Sequence, residues 1–195
     1  MKRILIIFFY FFSFIIPSQA DDIRDFQIEG ISVEDNLLDH SSTLNVSKDF
    51  IKNKKYLIYP KSDKFVTIGF KYESEKYERI QFLIDPKTFR IVLVTGAMFV
   101  KDKLGCERKQ KEIFKELSSI YKSARIINEK FEPHAWDKTG ESISNGVYLS
   151  LKSGDIGIEC YIWSKKIKAE KGWANNLKVA IQNKEAIKFL TYEAY

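Results

Sequence analysis

Phe65-Val66-Thr67-Ile68-Gly69-Phe70-Lys71-Tyr72, Tyr77-Glu78-Arg79-Ile80-Gln81-Phe82-Leu83-Ile84 and Phe89-Arg90-Ile91-Val92-Leu93-Val94-Thr95-Gly96-Ala97-Met98 follow one another with short polar breaks between them. Successive side chains of a strand point to opposite faces, so Val66, Ile68 and Phe70 share one side of the first run and Ile80, Phe82 and Ile84 one side of the second. The third run is rich in β-branched residues, with Ile91, Leu93 and Thr95 on one face and Val92 and Val94 on the other. Residues 73–76 are a polar break, and in 85–88 Pro86 takes the second turn position, where its ring pre-sets φ. A three-stranded antiparallel meander is the expectation.

Downstream, Asp102 is placed to cap a long helix over 103–123. Its apolar positions Cys106, Ile113, Phe114, Leu117, Ile120 and Tyr121 recur at helical spacing, while Glu107 and Lys111 form an i,i+4 pair on the exposed side. Residues 124–144 read as a polar connection carrying Pro133, His134, Trp136 and Gly140. A second hairpin follows, 146–152 and 156–164 about a turn at 153–155. Residues 177–182 read as another strand, and 185–192, ambiguous between strand and helix, as a short helix capped by Asn183. Upstream, 25–29 alternates up to Gly30. Ser32 and Asp35 have capping-box spacing before a short helix through Leu37 and Leu38. Residues 41–55 read as a loop with at most one helical turn. The fold class is therefore α+β, an antiparallel sheet of meander plus hairpin packed on one long helix, in a single domain over 21–195.

The N-terminus reads as a secretory signal peptide, residues 1–20. Lys2 and Arg3 precede an apolar run from Ile4 to Ile16, Pro17 breaks it, and Ser18 and Ala20 supply the small residues that cleavage after Ala20 needs. At about 13 residues the run reaches roughly 20 Å, short of a hydrocarbon core of about 30 Å. No Cys near the cleavage point is available for a lipid anchor, so the mature chain is expected in the periplasm or outside the cell. In such a compartment Cys106 and Cys160 are expected to form a disulfide.

Losing Lys2 and Arg3 takes the formal charge from +6 to +4. The cations are mostly Lys, as AT-rich codons produce, and nucleic-acid recognition would lean on Arg. There is no Gly-rich phosphate loop, G-x-S-x-G elbow, H-E-x-x-H or C-x-x-C pair, so the sequence points to no metal or cofactor. Two stretches carry candidate chemistry. One is the connection with His134, Trp136, Asp137, Ser142 and Ser144, where His134 and Asp137 are the candidate catalytic groups. Its plainer reading has Trp136 covering one end of the core and His134 in solvent. The other is the loop from Trp163 to Trp173, in which Lys165, Lys166, Lys168 and Lys171 stand between two aromatic faces, the pieces of a polyanion-binding loop or of a plain solvated one. His40 follows helical Asp39 and is expected near a helix end. Asn45 to Ser47 forms a glycosylation sequon, meaningful only in a host that uses it.

The stretch Asp25-Phe26-Gln27-Ile28-Glu29-Gly30-Ile31-Ser32, then Asp35-Asn36-Leu37-Leu38, resembles the opening of a family of small exported bacterial proteins with no assigned activity. The family motif reads D-F-x-I-E-G-[IM]-S-x-G-D-S-L-L; here Glu34 stands for Gly and Asn36 for Ser. More loosely, Gly-Ile-Ser before a short helix is similar to BamE-type envelope lipoproteins, whose lipid-attachment Cys this chain lacks. The resemblance implies export. The resulting expectation is a non-catalytic envelope protein that binds or scaffolds a protein, peptidoglycan or anionic lipid partner, with a small exported hydrolase using the His134 loop as the alternative.

Overall fold

The computed structural model describes residues 22–72 and 74–195; the expected signal peptide lies outside them. In chain order the elements are α1 Lys48–Asn53, β1 Leu57–Ile58, β2 Val66–Lys71, β3 Arg79–Ile84, β4 Ile91–Phe99, α2 Lys103–Ile120, β5 Arg125–Asn128, β6 Glu132–Pro133, β7 Ile143–Ser150, β8 Gly154–Ile162, α3 Lys165–Lys171, β9 Asn176–Asn183 and α4 Lys184–Lys188. Among the described residues the nine strands form one sheet in the order β1-β2-β3-β4-β9-β8-β7-β5, with β6 also on β7. Every neighbouring pair is antiparallel. Helices with an antiparallel sheet make the fold α+β.

Alternation gives the sheet two unlike faces. Phe82, Val94, Ile181 and Ile156 stand in one cross-strand row, and Ile80, Gly96, Val179 and Ile158 in the next. These residues are buried under α2 and the N-terminal segment, which adds Ile23, Ile28, Ile31, Leu37 and Ile51 to the same core. Each fully buried Ile or Phe contributes about 1.5–3 kcal/mol. Asp102 Oδ1 accepts from the Gly105 N–H at 2.8 Å and starts α2. Two contacts then fix the helix to β8: Gln110 Nε2 donates to the Ile158 carbonyl at 2.7 Å, and Cys106 is bonded to Cys160.

On the other face a second, smaller core lies at one end. Asn183 Oδ1 accepts from the Ala186 N–H at 2.8 Å, opening α4, and a π-helical turn, Phe189–Glu193, continues it. Phe189 meets the Phe65 ring at 5.1 Å and the Tyr59 ring at 5.2 Å, over Leu83 and Ala186. Arg90 ties this cover down, reaching Glu185 at 2.6 Å and Glu34 at 3.1 Å.

Several local expectations change. The register shifts between Leu83 and Ile84, so Ile91 pairs with Ile84 and joins the main core while Leu93 packs toward Phe65; the two were expected on one face. The connection 124–144 contains β5 and β6, both largely exposed and therefore without alternation to read. The helix expected to Ser123 ends at Ile120, with Tyr121 as its C-cap. Asp35 does bond back to the Ser32 N–H at 2.9 Å, but the Ser32 hydroxyl donates to the Phe26 carbonyl. The short helix after it is a 3-10 turn, Leu37–His40, capped by Asn36. His40, at its end, meets Asp35 at 3.0 Å. In the sequon, Ser47 caps α1 by accepting from the Phe50 N–H. Between Trp163 and Trp173 lies a helix, α3, where a loop was expected.

Candidate functional site

Pairing on that second face aligns residues far apart in the chain. Ala97 of β4 stands opposite Arg79 on one side and Lys178 on the other. A methyl group between two long cations leaves a trough in the surface. In the adjacent row Phe99 faces Asn176, Asn176 faces Tyr161, and Tyr161 faces Ser144. Trp163 follows Tyr161 by two residues, and its ring stacks on the Tyr161 ring at 5.7 Å and 17°.

The chain then turns back. Ser164 Oγ accepts from the Ile167 N–H and opens α3, and Gly172, at φ 65°, ends it in the left-handed conformation that lacks a Cβ penalty only for glycine. Trp173 thereby returns to lie against Trp163, ring centroids 4.6 Å apart. From the 134–142 loop, His134 meets Trp163 at 4.7 Å and Trp136 meets Trp173 at 5.6 Å. These rings, with Arg79, Asn176 and Lys178, enclose a cleft of about 310 Å³. That volume suits a small ligand.

Asp137 builds the loop. Its Oδ1 accepts from the Thr139 hydroxyl at 2.6 Å and N–H at 3.0 Å, and its Oδ2 from the Ser142 hydroxyl at 2.6 Å and N–H at 3.0 Å. The Ser142 and Thr139 hydrogen bonds hold the carboxyl far below its ordinary range. Ser142 Oγ also accepts from the Ser164 N–H at 2.9 Å, locking the loop to the start of α3. Asn175 completes the frame, accepting from the Trp163 N–H at 2.9 Å and donating to the Lys101 carbonyl at 3.0 Å. The Asp137 N–H donates to the His134 carbonyl at 3.0 Å, but among the described residues the imidazole and the carboxylate share no hydrogen bond; the His134 Nδ1 accepts from the Trp136 N–H at 3.3 Å. Burial, and next the charge of Lys178, push its pKa below the ordinary 6.5, so the imidazole is neutral at pH 7.

A polar network lies behind the aromatic wall. Glu159 accepts from the Tyr161 hydroxyl at 2.7 Å and from the Tyr148 hydroxyl at 2.9 Å. The Tyr148 ring fits over Gly146 and Gly157, where an added Cβ would lie 2.5 Å and 3.0 Å from it. Lys178 Nζ sits 4.4 Å from the centre of the Tyr161 ring. Burial raises the Tyr161 pKa well above 10 and lowers that of Lys178. Two buried polar atoms at the cleft residues, Trp163 Nε1 and Asn176 Oδ1, have no hydrogen-bond partner among the described residues. Such atoms cost about 1–3 kcal/mol each unless a ligand or water satisfies them.

The two stretches singled out in the sequence thus meet in one place. His134, Trp136, Trp163 and Trp173 all line the cleft. Lys165, Lys166, Lys168 and Lys171 project from α3 as exposed side chains and take no part in the lining. Trp136, expected over the core, is 59% exposed, and His134, expected in solvent, is half-buried against Trp163. Ser144 lies on β7 opposite Tyr161. Sequence reasoning passed over Arg79, Asn176 and Lys178. They occupy the outward positions of their strands, but nothing local distinguishes them from solvated residues. Among the described residues no group of three or more His, Cys, Asp or Glu side chains is placed to hold a metal ion, and no helix is long and apolar enough to cross a membrane. No protein-family model matches the chain, and neither does any curated protein or solved structure compared with it.

Proposed function

We propose that this chain is an exported, non-catalytic envelope protein that binds a ring-bearing small molecule or glycan end in the cleft between Trp136, Trp163 and Trp173. The carrying observation is the convergence of these tryptophans, with Tyr161 and His134, from separate segments around one cavity. A soluble domain has no packing reason to leave Trp136 largely exposed beside a cavity, whereas a flat ligand face gains about 1 kcal/mol or more from each ring it covers. Export rests on the Lys2-Arg3, apolar-run and Ser18-Ala20 layout at the N-terminus. The Cys106–Cys160 disulfide is compatible with it, and so is the resemblance of residues 25–38 to small exported proteins.

The test monitors the tryptophan indole N–H resonances of the mature protein during titration with a peptidoglycan digest and with vesicles containing anionic lipid. Saturable shifts, abolished in Trp136→Ala with Trp173→Ala, are expected from the digest, and shifts from the vesicles alone would overturn the ring-bearing ligand. If neither addition moves these resonances, the binding reading fails. Turnover of an added glycan that disappears in His134→Ala would replace it with the hydrolase.

A further inference from the structure

We propose that the ligand of this cleft is a sugar ring carrying a carboxylate, an inference that rests on the binding reading above and narrows it to one chemical class. Three features of the cleft converge on that class.

The first is charge. The ionic groups lining the cleft are Arg79 and Lys178, with no Asp or Glu among the lining residues. Cages that hold quaternary ammonium groups work through the negative faces of aromatic rings, and here one of those faces is already taken by the Lys178 ammonium over Tyr161. The nearby carboxylate of Glu159 is engaged by the Tyr148 and Tyr161 hydroxyls. Neither Arg79 nor Lys178 forms an ion pair among the described residues, so an incoming anion finds two unpaired cations on either side of the Ala97 trough.

The second is the pair of unsatisfied atoms. Trp163 Nε1 can only donate and Asn176 Oδ1 can only accept. The hydroxyls of a sugar can answer either kind of atom, accepting from an indole N–H or donating to an amide oxygen. A plain aromatic carboxylate has nothing to donate to Asn176, and a lipid phosphate has no ring to stack.

The third is shape. Trp136 and Trp173 meet at 46°, an open wedge with exposed indole surface. The axial C–H face of a pyranose lies against such a surface, while its equatorial hydroxyls point sideways to the polar rim.

The experiment is an indole N–H titration of the full mature protein with D-glucuronic acid, D-glucose and benzoate at constant ionic strength, beside the peptidoglycan digest. Glucuronic acid is expected to shift the Trp163 indole resonance and to bind at least about tenfold more tightly than glucose or benzoate, the worth of one charge-assisted hydrogen bond. Arg79→Ala and Lys178→Met are each expected to remove that advantage while leaving the backbone amide spectrum folded. Glucose or benzoate binding as tightly as glucuronic acid overturns the inference and leaves the cleft a binding site. Silence toward glucuronic acid, with shifts from the digest, also overturns it alone. Silence toward every addition overturns the inference and the binding reading together.

Discussion

Lys178 carries its ammonium 4.4 Å above the Tyr161 ring, although the residue directly opposite it on the neighbouring strand is Glu159. Glu159 is held instead by two phenols, Tyr161 at 2.7 Å and Tyr148 at 2.9 Å. The cation is thus partly buried against an aromatic face and forms no ion pair among the described residues. Burial accordingly lowers its pKa from the ordinary 10.5.

Lys178→Met is expected to stabilise the protein at pH 7. A lysine whose folded pKa lies below its unfolded value opposes folding in its charged form, so the penalty is fully present at low pH. It fades as the pH rises from the lowered pKa toward 10.5. Urea unfolding should show a higher midpoint for the variant at pH 7 and a gap that closes near pH 10. A lower midpoint at pH 7 would mean that the contact with Tyr161 outweighs desolvation.

Asp137 has the opposite sign. Its folded pKa lies far below 3.8, so its contribution is complete above 3.8 and is lost as the pH falls through the folded value. Asp137→Asn should lower stability at pH 7, and the difference should shrink at pH values well under 3.8. Because the Ser142 and Thr139 bonds also hold the loop, the variant should broaden the Trp136 indole resonance. An unchanged resonance with unchanged stability would remove Asp137 from this role.

The Cys106–Cys160 bond joins residues separated by 54 positions and ties α2 to β8. The double variant Cys106→Ala with Cys160→Ala should lose about 2–4 kcal/mol in urea melts. Because α2 covers the face away from the cleft, the Trp163 and Trp173 indole shifts should stay as in the wild type. Altered shifts in a folded variant would show that the two faces are coupled.

Glu34 adopts φ 72°, a left-handed conformation that favours glycine. Its carboxylate accepts from Arg90 and Asn183, which explains how a strained non-glycine residue is accommodated. Both Glu34→Ala and Glu34→Gly lose those bonds, but only glycine relieves the backbone. Glu34→Gly should therefore be more stable than Glu34→Ala by about 1 kcal/mol. Equal thermal midpoints would show that the turn adapts to alanine without strain.

Local chemistry made part of this structure legible in advance. Alternating runs such as Val66-Ile68-Phe70 announce an antiparallel sheet with a buried face, and an even pair of cysteines behind a signal-peptide-like N-terminus announces a disulfide. Where the local pattern was weak, reading failed. β5 shows no alternation because both of its sides are largely exposed, and α3 was hidden because its lysines look like a solvated loop while Ile167 alone turns inward. Half of the site was visible in the same limited way, since His134, Trp136, Trp163 and Trp173 drew notice as aromatic and titratable loop residues.

By itself the sequence determined the fold class, the cross-link between Cys106 and Cys160, and a supply of tryptophans near loops, because strand alternation and cysteine pairing depend on residue type and short spacing. Tertiary structure alone decided that those tryptophans share one cleft and that its cations are Arg79 and Lys178, with the α3 lysines outside it. That outcome depends on strand register. Ala97 brings Arg79 and Lys178 to either side of one trough only because β3, β4 and β9 pair in this alignment, and a shift of one residue would turn those side chains to the opposite face.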